Sequence, residues 1–297
     1  MKAQYITPCI TVLDRQGHID AEANRRVYEH LIQGGVSGIL ILGSIGEFFA
    51  IPQEEKKKLV DVAVETIAGR TRLFVGGSNM DFEQCVELCE YAYDKGVQDI
   101  MVISPYYFSL PDSSVEEYYD QLASRIRGNL CLYSFPARTG YDISPDVVLR
   151  LARKHKNITG IKHTITGFDD TRAIIETVCK EFPNFEVFSG FDENFAHNVL
   201  AGGAGCIGGL SNVMPEVCGA WVKAMKAEDM QEVARIQRIV DGMMRIYSIA
   251  PTFIGTIKKA MMLRGVKMSD VCAFPMPSVN EHQGQAVEEL LREMKLI

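Results

Sequence analysis

Short apolar runs that end at or near glycine recur along the chain, and stretches with helical spacing of apolar residues separate them. GILILG (38–43), RLFVGG (72–77), DIMVISPYY (99–107), NLCLYSFP (129–136), ITGIKHT (158–164), EVFSG (186–190) and AGCIGGL (204–210) read as buried parallel strands. YITPCITVL (5–13) is the first of the set. Helices are predicted between them, at 21–34, 53–68, 81–95, 114–127, 145–155, 169–181, 193–201 and 215–227. Their ends carry suitable chemistry. Gly34-Gly35 stops the first, Glu54 and Glu55 follow Pro52 in the second, Ser113 and Glu116 make a capping box for the fourth, and Ser144-Pro145 opens the fifth.

Eight such units in about 220 residues predict an α/β protein, a (β/α)8 TIM barrel rather than a doubly wound sheet. The barrel would take residues 1–227. Residues 228–297 show no strand pattern and predict three helices, at 228–247, 252–264 and 282–295. They form a C-terminal helical extension packed on the barrel, since ~70 residues make a thin core alone.

The 297 residues are 47% hydrophobic and 23% charged, with a formal net charge of −7. Such a balance, with no basic run, gives no affinity for nucleic acid or an anionic membrane surface. No apolar stretch approaches the ~20 residues that span a bilayer. Gln4, Thr7 and Pro8 interrupt the N-terminal segment, so it does not read as a signal peptide and a cytoplasmic location is expected. The eight cysteines form no C-x-x-C pair and the six histidines are scattered, so reduced thiols and no metal are expected.

Barrel active sites lie at the C-terminal ends of the strands. Side chains alternate along a strand, so Lys162 and Thr164 share one face of 158–164 and His163 takes the other, toward the helices. Lys162 then serves either as a structural ion pair or as a desolvated amine, the form that imine chemistry needs. Tyr133 is one strand over, either packed in the core or within reach of that amine as a proton shuttle. Arg138 just beyond it suits a carboxylate or a surface salt bridge. Gly43-Ser44-Ile45-Gly46 offers a small nest of backbone N–H groups. Asp192 is a natural N-cap, and Gly208-Gly209 either admits a ligand or relieves crowding. The Gly202–Gly209 stretch precedes its strand, which argues against nicotinamide binding. Phe48, Phe49, Tyr106, Tyr107 and Phe108 suggest more aromatic surface than a monomer exposes, and hence a homotetramer, a dimer of dimers.

Gly43-Ser44-Ile45-Gly46-Glu47, Tyr133…Pro136…Thr139-Gly140 and Gly160-Ile161-Lys162 together resemble the dihydrodipicolinate synthase / N-acetylneuraminate lyase superfamily of class I aldolases, across the whole chain. The resemblance implies a Schiff base between Lys162 and the ketone of pyruvate, with no external cofactor. Tyr133, Ser44 and Tyr107 would move protons, Tyr107 coming from a neighbouring subunit. Backbone N–H groups at Ser44-Ile45 would hold the pyruvate carboxylate. Thr164, Gly190, Asp192, Glu193 and Gly208 would line the rest of the substrate site with Arg138. Three positions depart from the family pattern: Ile45 replaces a hydroxyl, Ser134 replaces the usual Asn, and His163 replaces the usual Asp, Glu or Gln. The partners implied are a 2-oxo acid and an aldehyde. Gly190-Phe191-Asp192-Glu193 resembles a sugar-binding stretch, which favours a 2-keto-3-deoxy sugar acid aldolase. The alternatives are 4-hydroxy-tetrahydrodipicolinate synthase, to which Arg138 points, then N-acetylneuraminate lyase or a related dehydratase. Ile45 also admits a non-catalytic 2-oxo acid sensor.

Overall fold

The computed structural model describes all of residues 1–297. Eight parallel strands close into a barrel in sequence order: β1 Gln4–Pro8, β2 Gly38–Ile41, β3 Arg72–Gly76, β4 Asp99–Ile103, β5 Asn129–Ser134, β6 Ile158–His163, β7 Glu186–Ser189 and β8 Gly205–Ile207. The helices are α1 Ala21–Gly34, α2 Gln53–Ile67, α3 Phe82–Asp94, α4 Asp112–Arg125, α5 Pro136–Thr139, α6 Pro145–Lys154, α7 Asp169–Ile174, α8 Phe195–Leu200 and α9 Pro215–Lys226. Three more follow β8 and α9: α10 Met230–Met243, α11 Phe253–Leu263 and α12 Glu281–Glu293. This is the TIM barrel that the strand–helix alternation predicts, with C-terminal helices.

The chain forms two compact units. One comprises residues 3–73 and 208–297. Its core is built on Tyr5, Tyr28, Leu31, Ile257 and Trp221, all fully buried. The Trp221 indole N–H donates to the Val233 carbonyl (3.2 Å). Arg264, the residue after α11, donates to the Val213 carbonyl and pairs with Glu216 of α9 at 2.8 Å. In the other unit, residues 74–207, Ile100, Leu130, Leu132, Ile161 and Val187 fill the strands' buried faces. Tyr119 of α4 donates its hydroxyl to the Val102 carbonyl (2.9 Å).

The strands are shorter than their apolar runs, mostly at the C-terminal ends. After β1, Ile10 N–H donates to Asn212 Oδ1 and Val12 N–H to Asn24 Oδ1, both at 3.1 Å. These side-chain amides stand in for a strand partner, so 9–13 is irregular although it is buried. The predicted capping box on α4 does not form. The helix starts at Asp112 after Pro111 with no side-chain cap, and Glu116 is drawn to Arg150 instead (2.8 Å). Phe48, expected on an aromatic surface, is buried.

Candidate active site

The ends of β5 and β6 set the first group of residues. The parallel register aligns Tyr133 with Lys162 and Ser134 with His163. Lys162 is 5% exposed, and its Nζ lies 4.4 Å from the centroid of the Tyr133 ring. No carboxylate pairs with this amine. Tyr133 is itself buried, its ring stacked on Phe135 with centroids 6.1 Å apart. Thr164 continues β6: its N–H donates to the Ser134 carbonyl (2.9 Å), while its buried Oγ1 has no hydrogen-bond partner. Gly190 lies against that hydroxyl, where a Cβ would stand 1.8 Å from Oγ1, so only glycine leaves Thr164 in place.

The odd-face residues behave differently. His163 is fully enclosed on the helix side, with Nε2 2.9 Å from Asp142 Oδ1 and Nδ1 2.8 Å from Thr171 Oγ1. The alternation along the strand predicts this direction.

Around these, Asp192 is buried and Glu193 half-buried in the 3-10 turn Asp192–Asn194. Asp192 does not cap α8, whose N-cap position is Asn194. Arg138 lies on α5, exposed, its guanidinium 5.7 Å from the Phe135 ring centroid, and no carboxylate pairs with it. Tyr107 is 85% exposed at φ +90°, and its ring meets only Phe108. Within one chain it does not reach Tyr133.

The second group belongs to the unit of residues 3–73 and 208–297. The loop after β2 closes with Glu47 N–H donating to the Ser44 carbonyl (3.2 Å) and Phe48 N–H to Gly43 (3.4 Å). Leu42 and Glu47 both adopt positive φ, at 56° and 59°. A Cβ on Gly46 would meet the Cys9 carbonyl at 2.9 Å, so glycine is required there. Ser44 is half-buried and Ile45 buried. Ile45 Cδ1 and the Tyr247 hydroxyl crowd Gly209, whose Cβ would lie 2.6 and 2.5 Å from them. Gly208, beside it, accepts at its carbonyl from Ser211 Oγ (2.8 Å).

One pair in this group has no signature in the sequence. Glu47 and Lys258 are both fully buried and form an ion pair, Oε1 to Nζ 2.5 Å. Glu47 Oε2 accepts from Ala273 N–H (2.6 Å), and Lys258 Nζ donates also to the Val271 carbonyl (2.7 Å). The pair fastens the β2 loop to the C-terminal segment. The two residues are 211 apart in sequence, and no local pattern signals the contact. Lys258 also defines Lys162 by contrast: one buried amine is neutralised by a carboxylate, the other is not.

No group of three or more His, Cys, Asp or Glu is arranged to hold a metal ion, and no helix is long and apolar enough to cross a membrane.

A closed parallel barrel with an uncompensated lysine at a strand end, against a tyrosine, is the architecture of an imine-forming lyase. Residues 1–294 match the dihydrodipicolinate synthetase family, and the chain belongs to it. A probable 2-dehydro-3-deoxy-D-pentonate aldolase of Escherichia coli K12, YjhH, is 32% identical over 286 residues, 96% of this chain and 95% of the relative. YagE of E. coli K12, a prophage protein of the dihydrodipicolinic acid synthase family solved in complex with pyruvate, superposes with a TM-score of 0.96 at 30% identity, over 99% of each chain. The 4-hydroxy-tetrahydrodipicolinate synthase of Kosmotoga olearia is 26% identical over 275 residues, 93% of this chain and 92% of the relative.

Proposed function

We infer that the protein is a Schiff-base aldolase that cleaves a 2-keto-3-deoxy sugar acid to pyruvate and an aldehyde, or joins the two. The observation that carries this is the Lys162 amine, buried, without a carboxylate partner, 4.4 Å from the Tyr133 ring. Its lone pair adds to the ketone and water leaves. In the protonated imine so formed, the carbon–carbon bond next to C3 breaks as its electrons move toward nitrogen. Tyr133 takes the proton from the departing aldehyde's hydroxyl and returns one to C3, and hydrolysis then frees pyruvate. The backbone N–H groups of the Ser44-Ile45 loop suit the substrate carboxylate, which they would hold with no side-chain charge of their own. Thr164, Asp192 and Glu193 suit polyol hydroxyls, and Gly190 leaves the Thr164 hydroxyl in place to meet one. The Schiff base on Lys162 replaces any external cofactor.

The relatives that carry sugar-acid aldolase names support this substrate class, at 32% identity against 26% for the synthase. A second reading, 4-hydroxy-tetrahydrodipicolinate synthase, rests on Arg138, whose guanidinium has no carboxylate partner and could hold the carboxylate of aspartate semialdehyde. The exposed Tyr107 fits a cytoplasmic homotetramer in which it enters a neighbour's site.

The test is borohydride reduction with pyruvate, followed by peptide mass spectrometry. A pyruvyl adduct on Lys162, lost in Lys162→Ala, is expected, together with pyruvate release from 2-keto-3-deoxygluconate. Absence of the adduct in folded protein would overturn the mechanism. Consumption of pyruvate with aspartate semialdehyde, and not with sugar-derived aldehydes, would favour the second reading.

A further inference from the structure

Behind Lys162 and Tyr133 lies a hydrogen-bonded group that the reaction itself does not use. Asp142, in the loop between α5 and α6, accepts at Oδ1 from Ser134 Oγ (2.5 Å) and from Ile143 N–H (2.7 Å). His163 Nε2 lies 2.9 and 3.1 Å from its two carboxylate oxygens. The far nitrogen of His163 is 2.8 Å from Thr171 Oγ1 on α7. Ser134 and His163 are register partners across β5 and β6, each one residue beyond Tyr133 and Lys162.

We propose that Asp142 is a positioning residue: it ties the ends of β5 and β6 together through Ser134 and His163, and so fixes the Tyr133 ring against the Lys162 amine. The proposal rests on the Schiff-base reading above. It gives Ser134 and His163, register partners on neighbouring strands, one common acceptor. A carboxylate at 163 would face the carboxylate of Asp142, with like-charge repulsion between them. A histidine there donates instead, and the short Ser134 side chain reaches the same oxygen from the neighbouring strand. The two side chains act as one unit because both meet the same acceptor. Both are buried, so each removal leaves Asp142 short of a donor that water replaces poorly.

The effect on chemistry is one of placement. Proton transfer from the substrate hydroxyl to the Tyr133 phenol, and back to C3, depends steeply on distance, and a misplacement of ~1 Å costs up to ~100-fold in rate. On the Schiff-base reading pyruvate is captured by the Lys162 amine, to which Asp142 makes no hydrogen bond. The experiment therefore separates kcat from KM in the pyruvate-forming cleavage reaction. His163→Ala and Asp142→Ala are each expected to lower kcat by ~10- to 100-fold while KM changes by less than ~3-fold. The double variant should fall no further than either single one, since both break the same unit. His163→Gln, which keeps a donor toward Asp142, should restore kcat to within ~5-fold of the parent. Borohydride trapping of pyruvate should persist in all of them, so a wild-type chain that traps nothing indicts the Schiff-base reading and not this one. Unchanged kcat in His163→Ala, additive losses in the double variant, or no rescue by Gln would each overturn the proposal. Should the alanine variants not fold, Ser134→Ala removes one hydroxyl and gives the same reading: a kcat loss supports it, and parental kcat refutes it.

Discussion

Removing one partner of the Glu47–Lys258 pair should be among the most damaging single changes in the protein. Glu47→Leu would leave the Lys258 ammonium fully buried with only the Val271 carbonyl as acceptor, and the Ala273 N–H without one. Breaking a buried ion pair on one side costs ~3–5 kcal/mol, because an uncompensated charge stays inside. The stranded Ala273 N–H adds a share of ~1–3 kcal/mol, partly overlapping the first as the loop relaxes. Lys258→Met strands a carboxylate instead, which keeps the Ala273 bond, so its loss should sit at the lower end. Replacing both, Glu47→Leu with Lys258→Met, removes the charges together and should recover much of the loss, since apolar substitutes for a buried pair are often neutral. Urea unfolding followed by circular dichroism gives the three values and their coupling. Because Glu47 closes the β2 loop, the single variants should also raise KM for pyruvate. Single losses under ~1 kcal/mol, or a double loss equal to the sum of the singles, would refute this reasoning.

Two further outcomes follow from geometry and charge. Burial alone would raise the Asp142 carboxyl, but the hydrogen bond and charge of His163, then Ser134 Oγ and Ile143 N–H, hold it below the usual carboxylate range. Its contribution is therefore fully present above the unfolded value of about 3.9 and fades as pH falls through the lower folded value. The urea-midpoint gap between the parent and Asp142→Asn should stay level from neutral pH to about 5 and close below about 4; a gap that widens with acid contradicts the assignment. Gly219→Ala would place a Cβ 2.5 Å from the Gly34 carbonyl and 3.0 Å from that of Gly35 where α9 crosses α1. Alanine's helix preference, ~1 kcal/mol, cannot offset a backbone contact that close, and a net loss of ~1–3 kcal/mol is expected. A stabilised variant in the same unfolding assay would show that the crossing yields.

The barrel is legible because its strands and helices follow different hydrophobic periods, and because glycines and prolines mark the joins. Lys162 stands out as a candidate because a lysine amid Ile158, Ile161 and Thr164 has no reason to be there on packing grounds. The same alternation correctly sends His163 outward. What the pattern does not reveal are contacts made by backbone donors and distant side chains. Residues 9–13 look like strand, yet the N–H groups of Ile10 and Val12 are claimed by Asn212 and Asn24. Glu116 looks like half of a capping box, yet a guanidinium on α6 competes for it. Asp142 looks like an ordinary loop aspartate until the register sets Ser134 beside His163.

The ion pair under the β2 loop has a consequence in time. Glu47 leaves the ribosome 211 residues before Lys258 does. At ~5–20 residues per second the loop waits roughly 10–40 seconds for the cation that fixes it. During synthesis the nascent barrel therefore carries a carboxylate that stays hydrated until nearly the last helix arrives. Elongation rate and any early stop before residue 258 thus bear directly on whether this loop is ever completed.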